Sequence, residues 1–284
     1  MDPIFPPELE EMIFTTTAKL NPTMTPTFLR LARRFRIWLE PLLYETISDR
    51  HPGQIKTVIA SMSSNSKPPS FLQTTVRRLY LSQYNSISRL NTLKLLQLCT
   101  NVEDLVDLGH FVTPQLLPVV AGLPLRRVAI NVDQLSNFGT IPRIDFAPLV
   151  FPFLTHISII DSHIFTDRFP PAASLASLPA LAYLSTNRNI GWHTLGQILE
   201  ACPKLKVLMH VCDSDRTDDA RKMAASTPFP DPRFVVVVVH TTFLERWEAG
   251  TTQDGGIDLW VEVEDFVVQR RKEGTGPLLI CRHN

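Results

Sequence analysis

The chain has 284 residues, enough for one large core or two domains, and its 44% apolar and 20% charged residues are an ordinary globular balance. Its 28 Lys+Arg equal its 28 Asp+Glu, so there is no cationic excess to neutralise phosphates, which argues against nucleic acid as the main partner. The longest aliphatic run, Val235–Val239, is far too short to span a bilayer. The start carries Glu8, Glu10 and Glu11 instead of a basic n-region and apolar h-region. The four cysteines, Cys99, Cys202, Cys212 and Cys281, form no C-x-x-C pair and read as buried thiols of a reducing compartment, cytoplasmic or nuclear.

Residues 6–47 read as helical. Pro6-Pro7 opens a helix whose Leu9, Met12 and Ile13 recur at helical spacing, and Asn21-Pro22 breaks it. Pro26 suits the first turn of a second helix with Phe28, Leu29 and Ala32. Ile37-Trp38-Leu39 makes a third piece, and Pro41 starts a further helix through Leu42, Leu43, Tyr44 and Ile47. The polar, Pro-containing stretch 61–70 is expected as loop or linker, which sets boundaries at 1–50, 51–75 (linker), 76–240 and 241–284.

From Val76 onward one cadence, apolar-x-x-apolar-x-apolar, recurs seven times. It appears as Val76-Leu79-Leu81, Val102-Leu105-Asp107, Leu125-Val128-Ile130, Leu154-Ile157-Ile159, Leu181-Leu184-Thr186, Leu205-Leu208-His210 and Phe234-Val237-Val239. The starts are 26, 23, 29, 27, 24 and 29 residues apart, a period that marks a leucine-rich-repeat solenoid. Short helical stretches such as Leu90-Leu93-Leu96, Leu116-Leu117-Val120 and Leu195-Ile198-Leu199 alternate with these strands, which implies a parallel sheet joined by crossovers. The 23 prolines against 11 glycines agree with many short elements. A doubly wound sheet is the competing fold, but no strand runs into a glycine-rich turn. After Val239 the cadence stops. Phe243-Leu244 with Trp247, and the stretch Asp258–Lys272 with Asp258 as N-cap, read as helices that cap the end of the array.

Chemistry-bearing motifs are missing: no G-x-G-x-x-G, G-x-x-x-x-G-K-[ST], H-E-x-x-H or G-x-S-x-G occurs. His210-x-Cys212 with Asp213 and Asp215 lacks the ligand spacing of a zinc site, and the Asp213–Asp219 run lacks the glycine and closing glutamate of an EF-hand. Neither a catalytic centre, a cofactor nor a metal is expected. Arg30, Arg33, Arg34 and Arg36 are the one local concentration of charge, either a solvated helix face or a contact for an acidic protein.

Phe5-Pro6-Pro7-Glu8-Leu9 followed by Met12-Ile13-Phe14 resembles the opening of F-box domains. Leu31-Ala32-Arg33-Arg34-Phe35-Arg36-Ile37-Trp38 looks like that motif's second half, and Leu42-Leu43-Tyr44 like its closing helix. The match covers about residues 4–47, and with the irregular repeats it is similar to the fungal F-box-like proteins. The resemblance implies an α/β chain built from a helical F-box-like domain, an irregular leucine-rich-repeat solenoid and a helical C-terminal cap. It also implies a non-enzymatic subunit that recruits a protein substrate to a Skp–cullin–F-box ubiquitin ligase. The Skp-type adaptor would contact Pro6, Leu9, Ile13, Trp38, Leu42 and Leu43. The alternative is a repeat protein that binds a partner with no ligase role.

In the solenoid register, cadence positions one, four and six face the core and the residues between them face a concave surface. That places Arg78, Tyr80, Arg127, Ala129, Asn131, His156, Ser158, Tyr183, Ser185 and Asn187 on a recognition face, with Arg78, Tyr80, Arg127, His156 and Tyr183 as the partner-binding set. Farther on, Val207, Met209, Val211, Val236 and Val238 make the face apolar. This strip is either an exposed interaction site or is covered by the C-terminal helix carrying Trp260, Val263 and Val267.

Overall fold

The computed structural model describes residues 5–49, 52–64, 67–81, 89–108, 117–131, 146, 151–160, 169–187, 190–250, 258–273 and 279–281. Three helices come first: α1 (Pro7–Leu20), α2 (Thr25–Leu31) and α3 (Arg33–Glu45). Prolines at the first turns of α1 and α2 lie where a missing N–H costs nothing. Ala32 is extended, with φ −157° and ψ 154°, and it separates α2 from α3 instead of continuing the second helix. Pro41, expected to start a new helix, lies inside α3, which stays helical although Pro41 lacks the N–H that would reach back to Ile37.

No linker follows. Glu45 ends α3 and Thr46 begins β1 (Thr46–Ser48), so Ile47 is a strand residue and not part of a helix. The expected linker region is α4 (Pro52–Ser64) and α5 (Pro69–Thr75), and it buries Ile55, Val58 and Leu72 in the main core. Pro68-Pro69 read as a breaker, but prolines also suit helix starts, and that use wins at α5.

The rest alternates. The elements are β2 (Arg78–Leu81), α6 (Arg89–Leu98), β3 (Asp104–Asp107), α7 (Leu117–Ala121), β4 (Arg127–Asn131), β5 (His156–Ile160), α8 (Ala172–Ala176), β6 (Tyr183–Thr186), α9 (Trp192–Ala201), β7 (Val207–Asp213), α10 (Thr217–Ala225), β8 (Phe234–Val239), α11 (Phe243–Ala249), α12 (Leu259–Glu273) and β9 (Leu279–Cys281). Among the described residues they form one nine-stranded sheet, parallel throughout, with strand order equal to sequence order. A doubly wound sheet reverses its strand order at a switch point, and this one does not. Thr113-Pro114, whose pattern suggests a helix start, lies outside the described residues.

Register makes the cadence physical. Ile47, Leu79, Leu105, Val128, Ile157, Leu184, Leu208 and Phe234 stand opposite one another across β1 to β8. All are buried in one core with α4, α5, α6, α8, α9 and α10. The last repeat is displaced from its expected phase. Phe234 occupies the fourth cadence position and not the first, so Val236 and Val238 join this core while Val235, Val237 and Val239 face the other way.

That other face is also covered. Tyr80, Val106, Ala129, Val207, Met209, Val211, Val235, Val237 and Val239 pack against Trp247 of α11 and Leu259, Trp260, Val263 and Val267 of α12. The C-terminal helices therefore roof the sheet: of the two expectations for the apolar strip, the covering helix with Trp260, Val263 and Val267 is the one observed over Val207, Met209 and Val211. Burial on both faces explains why β8 reads as an unbroken apolar run, Phe-Val-Val-Val-Val-Val.

Candidate functional site

Two surfaces carry the residues expected to act, and they fare differently. The first is the N-terminal helical unit. Its own core is small: Ala18, Phe28, Phe35 and Leu39, with Phe14 5.2 Å edge-on from Phe28 and 4.1 Å from Phe35. Trp38 and Leu42 lie half-buried against it, so two of the expected adaptor contacts also serve as packing. Four others face outward: Pro6 is exposed, and Leu9, Ile13 and Leu43 are 42%, 45% and 42% exposed.

Helix α1 has two apolar faces. Phe14 and Ala18 point inward beside the buried Glu10, whose carboxylate meets Arg34 of α3 at 3.0 Å. Leu9, Met12, Ile13 and Leu20 recur at helical spacing on the opposite side and are all exposed. Of the thirteen exposed large apolar residues described, nine lie between Phe5 and Leu43. Covering such a stripe would gain free energy in proportion to the apolar area removed from water, so it stands out as a candidate interaction face.

The second surface is the sheet face expected to be concave and open. The structure places the expected partner-binding residues together there, but beneath the roof. Tyr80 has no exposed surface, and its hydroxyl donates to Asp104 at 3.2 Å. The Trp247 indole N–H donates to the same carboxylate at 2.6 Å. The Arg127 guanidinium lies 4.7 Å above the Trp247 ring, 3.4 Å from Asp258 and 3.7 Å from Asp104, and donates to the Gly250 carbonyl at 3.0 Å. Gly250 and Asp258 pack so closely that a Cβ on Gly250 would lie 2.7 Å from the carboxylate. Arg127 thus pins the end of α11 and the N-cap of α12, where Asp258 accepts from the Trp260 N–H at 3.0 Å as its position before the helix suggested.

The neighbouring residues continue the pattern. His156 stacks flat on Tyr183, 4.2 Å apart and 5° between planes, and both meet the edge of Trp260. The Tyr183 hydroxyl donates to Glu264, which also holds Lys206 at 2.8 Å. Arg78 is partly buried and paired with Glu45 at 3.2 Å. Tyr80, Arg127, His156 and Tyr183 are therefore contacts made within the chain and not an exposed recognition set. Arg78, Asp104 and Arg127 succeed one another in register, so charge alternates along the row. The register alone could pair Arg78 with Arg127 through Asp104. Nothing local to the strands signals Trp247, Asp258 and Glu264, which arrive from more than a hundred, or about eighty, positions away in sequence.

Electrostatics follow burial. Loss of solvent pushes the Asp104 carboxyl up to about 6, against the opposing pull of Arg127 and the hydrogen bonds from Trp247 and Tyr80. Burial lowers His156 to about 3, helped by the cations Arg127 and Lys206. Burial also raises the thiols of Cys99 and Cys212 to about 12 and about 11, so neither is a nucleophile near neutral pH. Among the described residues no three His, Cys, Asp or Glu side chains gather into a group that could hold a metal ion, and no helix is long and apolar enough to cross a membrane. His210 and Cys212 are both buried on β7. A groove between α8 and α9 has Phe169, Pro170 and Pro171 on one wall and Thr194, Gln197 and Glu200 on the other.

Comparison with family models, curated proteins and solved structures finds no match to this chain.

Proposed function

We propose that the chain is a non-catalytic adaptor whose N-terminal helical unit docks on a Skp-type protein of a ubiquitin ligase while its repeat body holds a protein substrate. The carrying observation is the second apolar stripe of α1, Leu9, Met12, Ile13 and Leu20, on a unit whose own core needs none of these residues. It coincides with the segment that resembles an F-box. The body, with strand order following sequence and one apolar residue per strand in register, supports a leucine-rich-repeat type of solenoid.

The joint between the two parts supports a positioning role. Helix α3 passes into β1 without a spacer, and Lys67 bridges to Glu40 of α3 at 2.7 Å. Tyr44 meets Phe71 of α5 edge-on at 5.2 Å. A stiff joint holds a bound substrate at a fixed distance from the ligase scaffold, which raises its effective concentration at the transferring enzyme. Because the sheet face is occupied by α11 and α12, substrate contacts fall on other surfaces of the body. The alternative, a repeat protein that binds a partner without ligase chemistry, keeps the body and gives the α1 stripe a different partner.

Titration calorimetry of the full chain with a Skp-type adaptor separates them. Binding is expected, and Ile13→Asp, which places an unpaired charge in an apolar interface, should weaken it by about 2 kcal/mol, roughly thirtyfold. No binding by the unaltered chain would sink the ligase reading.

A further inference from the structure

We propose that the corner between α2 and α3 is an interaction surface for an acidic, apolar segment of a partner protein. Arg30 and Leu31 close α2, and Arg33, Arg36 and Ile37 open α3 on the far side of the extended Ala32. Arg33, Arg36 and Ile37 are spaced i, i+3, i+4 and share one helix face. Leu31 and Ile37 are 60% and 64% exposed, as much as almost any large apolar side chain described. Among the described residues Arg30 and Arg33 have no ion-pair partner, and Arg36 reaches Glu40 only at 3.7 Å. Arg34 is different: it is held by Glu10 and lies over the Phe35 ring at 5.3 Å, so it serves the fold.

Folding gives no return for this arrangement. The first turn of α3 holds no acidic residue and no side-chain cap, so its arginines face the positive end of the helix dipole. Such a placement is unfavourable, because like charges meet at the helix start. Positions that break a local rule without a structural gain are where function is expected. Two apolar side chains framed by guanidinium groups match a segment that offers leucine-like anchors and carboxylates, since arginine fits carboxylates bidentately and concentrates at interface hot spots. A nucleic acid fits less well: the chain has as many acids as bases, 28 each, and the apolar pair at the corner would meet phosphates.

This surface is built from residues of α2 and α3 and uses none of the α1 stripe, and its test needs no adaptor. The full chain is titrated, by fluorescence anisotropy at low salt, into a labelled amphipathic peptide with glutamate and leucine at helical spacing. Oligo-glutamate of equal charge, a short DNA duplex and phosphatidylserine vesicles serve as comparison probes. The Glu/Leu peptide should bind best, with affinity falling as salt is raised. Charge reversal by Arg30→Glu with Arg33→Glu should weaken it at least about tenfold, and the milder Arg30→Gln with Arg33→Gln should weaken it less. Ile37→Asp should weaken it as well, while Lys272→Glu on α12 should leave it unchanged. The proposal is overturned if the peptide does not bind, if oligo-glutamate, duplex or vesicles bind as well as the peptide, or if charge reversal at the corner has no more effect than at Lys272.

Discussion

Asp104 and His156 face the roof from the same sheet row, on either side of Arg127, and their titrations oppose each other. The Asp104 carboxyl, at about 6 in the folded chain against an ordinary 3.8, prefers its proton when buried. Its ionisation therefore costs stability as pH rises from 3.8 to about 6, and the cost is constant above that. His156 is held neutral, with its value lowered from 6.5 to about 3. Stability from that group is complete above 6.5 and is lost as pH falls through that window. The charged and titratable neighbours are Arg78 and Tyr80 on β2, Arg127 on β4, Tyr183 on β6, Lys206, and Asp258 and Glu264 of the roof. In the unaltered chain the two slopes partly cancel. Asp104→Asn keeps an acceptor for the Trp247 indole but removes one slope. Urea midpoints of that variant should rise more steeply between pH 4 and 6 than those of the parent, and a parallel pair of curves would show that Asp104 does not titrate there.

At the scale of elements, the sequence was most legible where its periodicity had a phase. The five cadences from Val76 to Thr186 supply a buried row because each strand carries a polar side chain, Arg78, Asp104, Arg127, Ser158 or Ser185, that marks its second face. In Phe234–Val239 every position is apolar, so either face could be inward, and a slip of one residue exchanges the faces. The strand β1 escaped notice for a different reason. It has three residues, its one core side chain is Ile47, and helical spacing explained Ile47 as well. Its position at the sheet edge creates a requirement that composition does not announce, since an open edge presents unpaired N–H and C=O groups. The Gln54 side chain meets it: Oε1 accepts from the Ser48 N–H at 3.1 Å, and Nε2 donates to the carbonyls of Thr46 at 2.8 Å and Leu43 at 3.2 Å. One amide thus stands in for a missing neighbouring strand. Gln54→Ala leaves those groups to water or to another chain, with an expected loss of about 1–3 kcal/mol. Light scattering should show faster aggregation on heating. An unchanged midpoint with no added scattering would mean that the edge is guarded by other means.

The whole molecule is a sheet buried on both faces, and this was only half visible in the sequence. The helix-side core follows from the repeats. The apolar strip on β7 made a covering helix one of two readings, but the contacts that anchor the roof were not legible, because Trp247, Asp258 and Trp260 meet Asp104, Arg127 and His156 across long separations. The same consideration fixes where the chain divides. A body beginning at Val76, as the repeats suggested, leaves out Ile47 in β1, Ile55 and Val58 in α4 and Leu72 in α5, all buried in the common core. It also strips Ser48, whose hydroxyl donates to Glu248 of the roof at 3.0 Å, and exposes β2 as a new edge. The N-terminal helices, by contrast, keep a separate core of Ala18, Phe28, Phe35 and Leu39. The physical boundary therefore lies at the α3–β1 junction, and the energetic difference is several large side chains at about 1.5–3 kcal/mol each, more than the margin of most domains allows. A fragment of residues 46–284 should be soluble and unfold in one cooperative transition by circular dichroism, at a midpoint somewhat below that of the full chain. A fragment of residues 76–284 should lose cooperativity or aggregate. Cooperative unfolding of both fragments would mean that β1, α4 and α5 are accessory to the core, and a failure of both would mean that the α1–α3 unit is itself the end cap that the sheet requires.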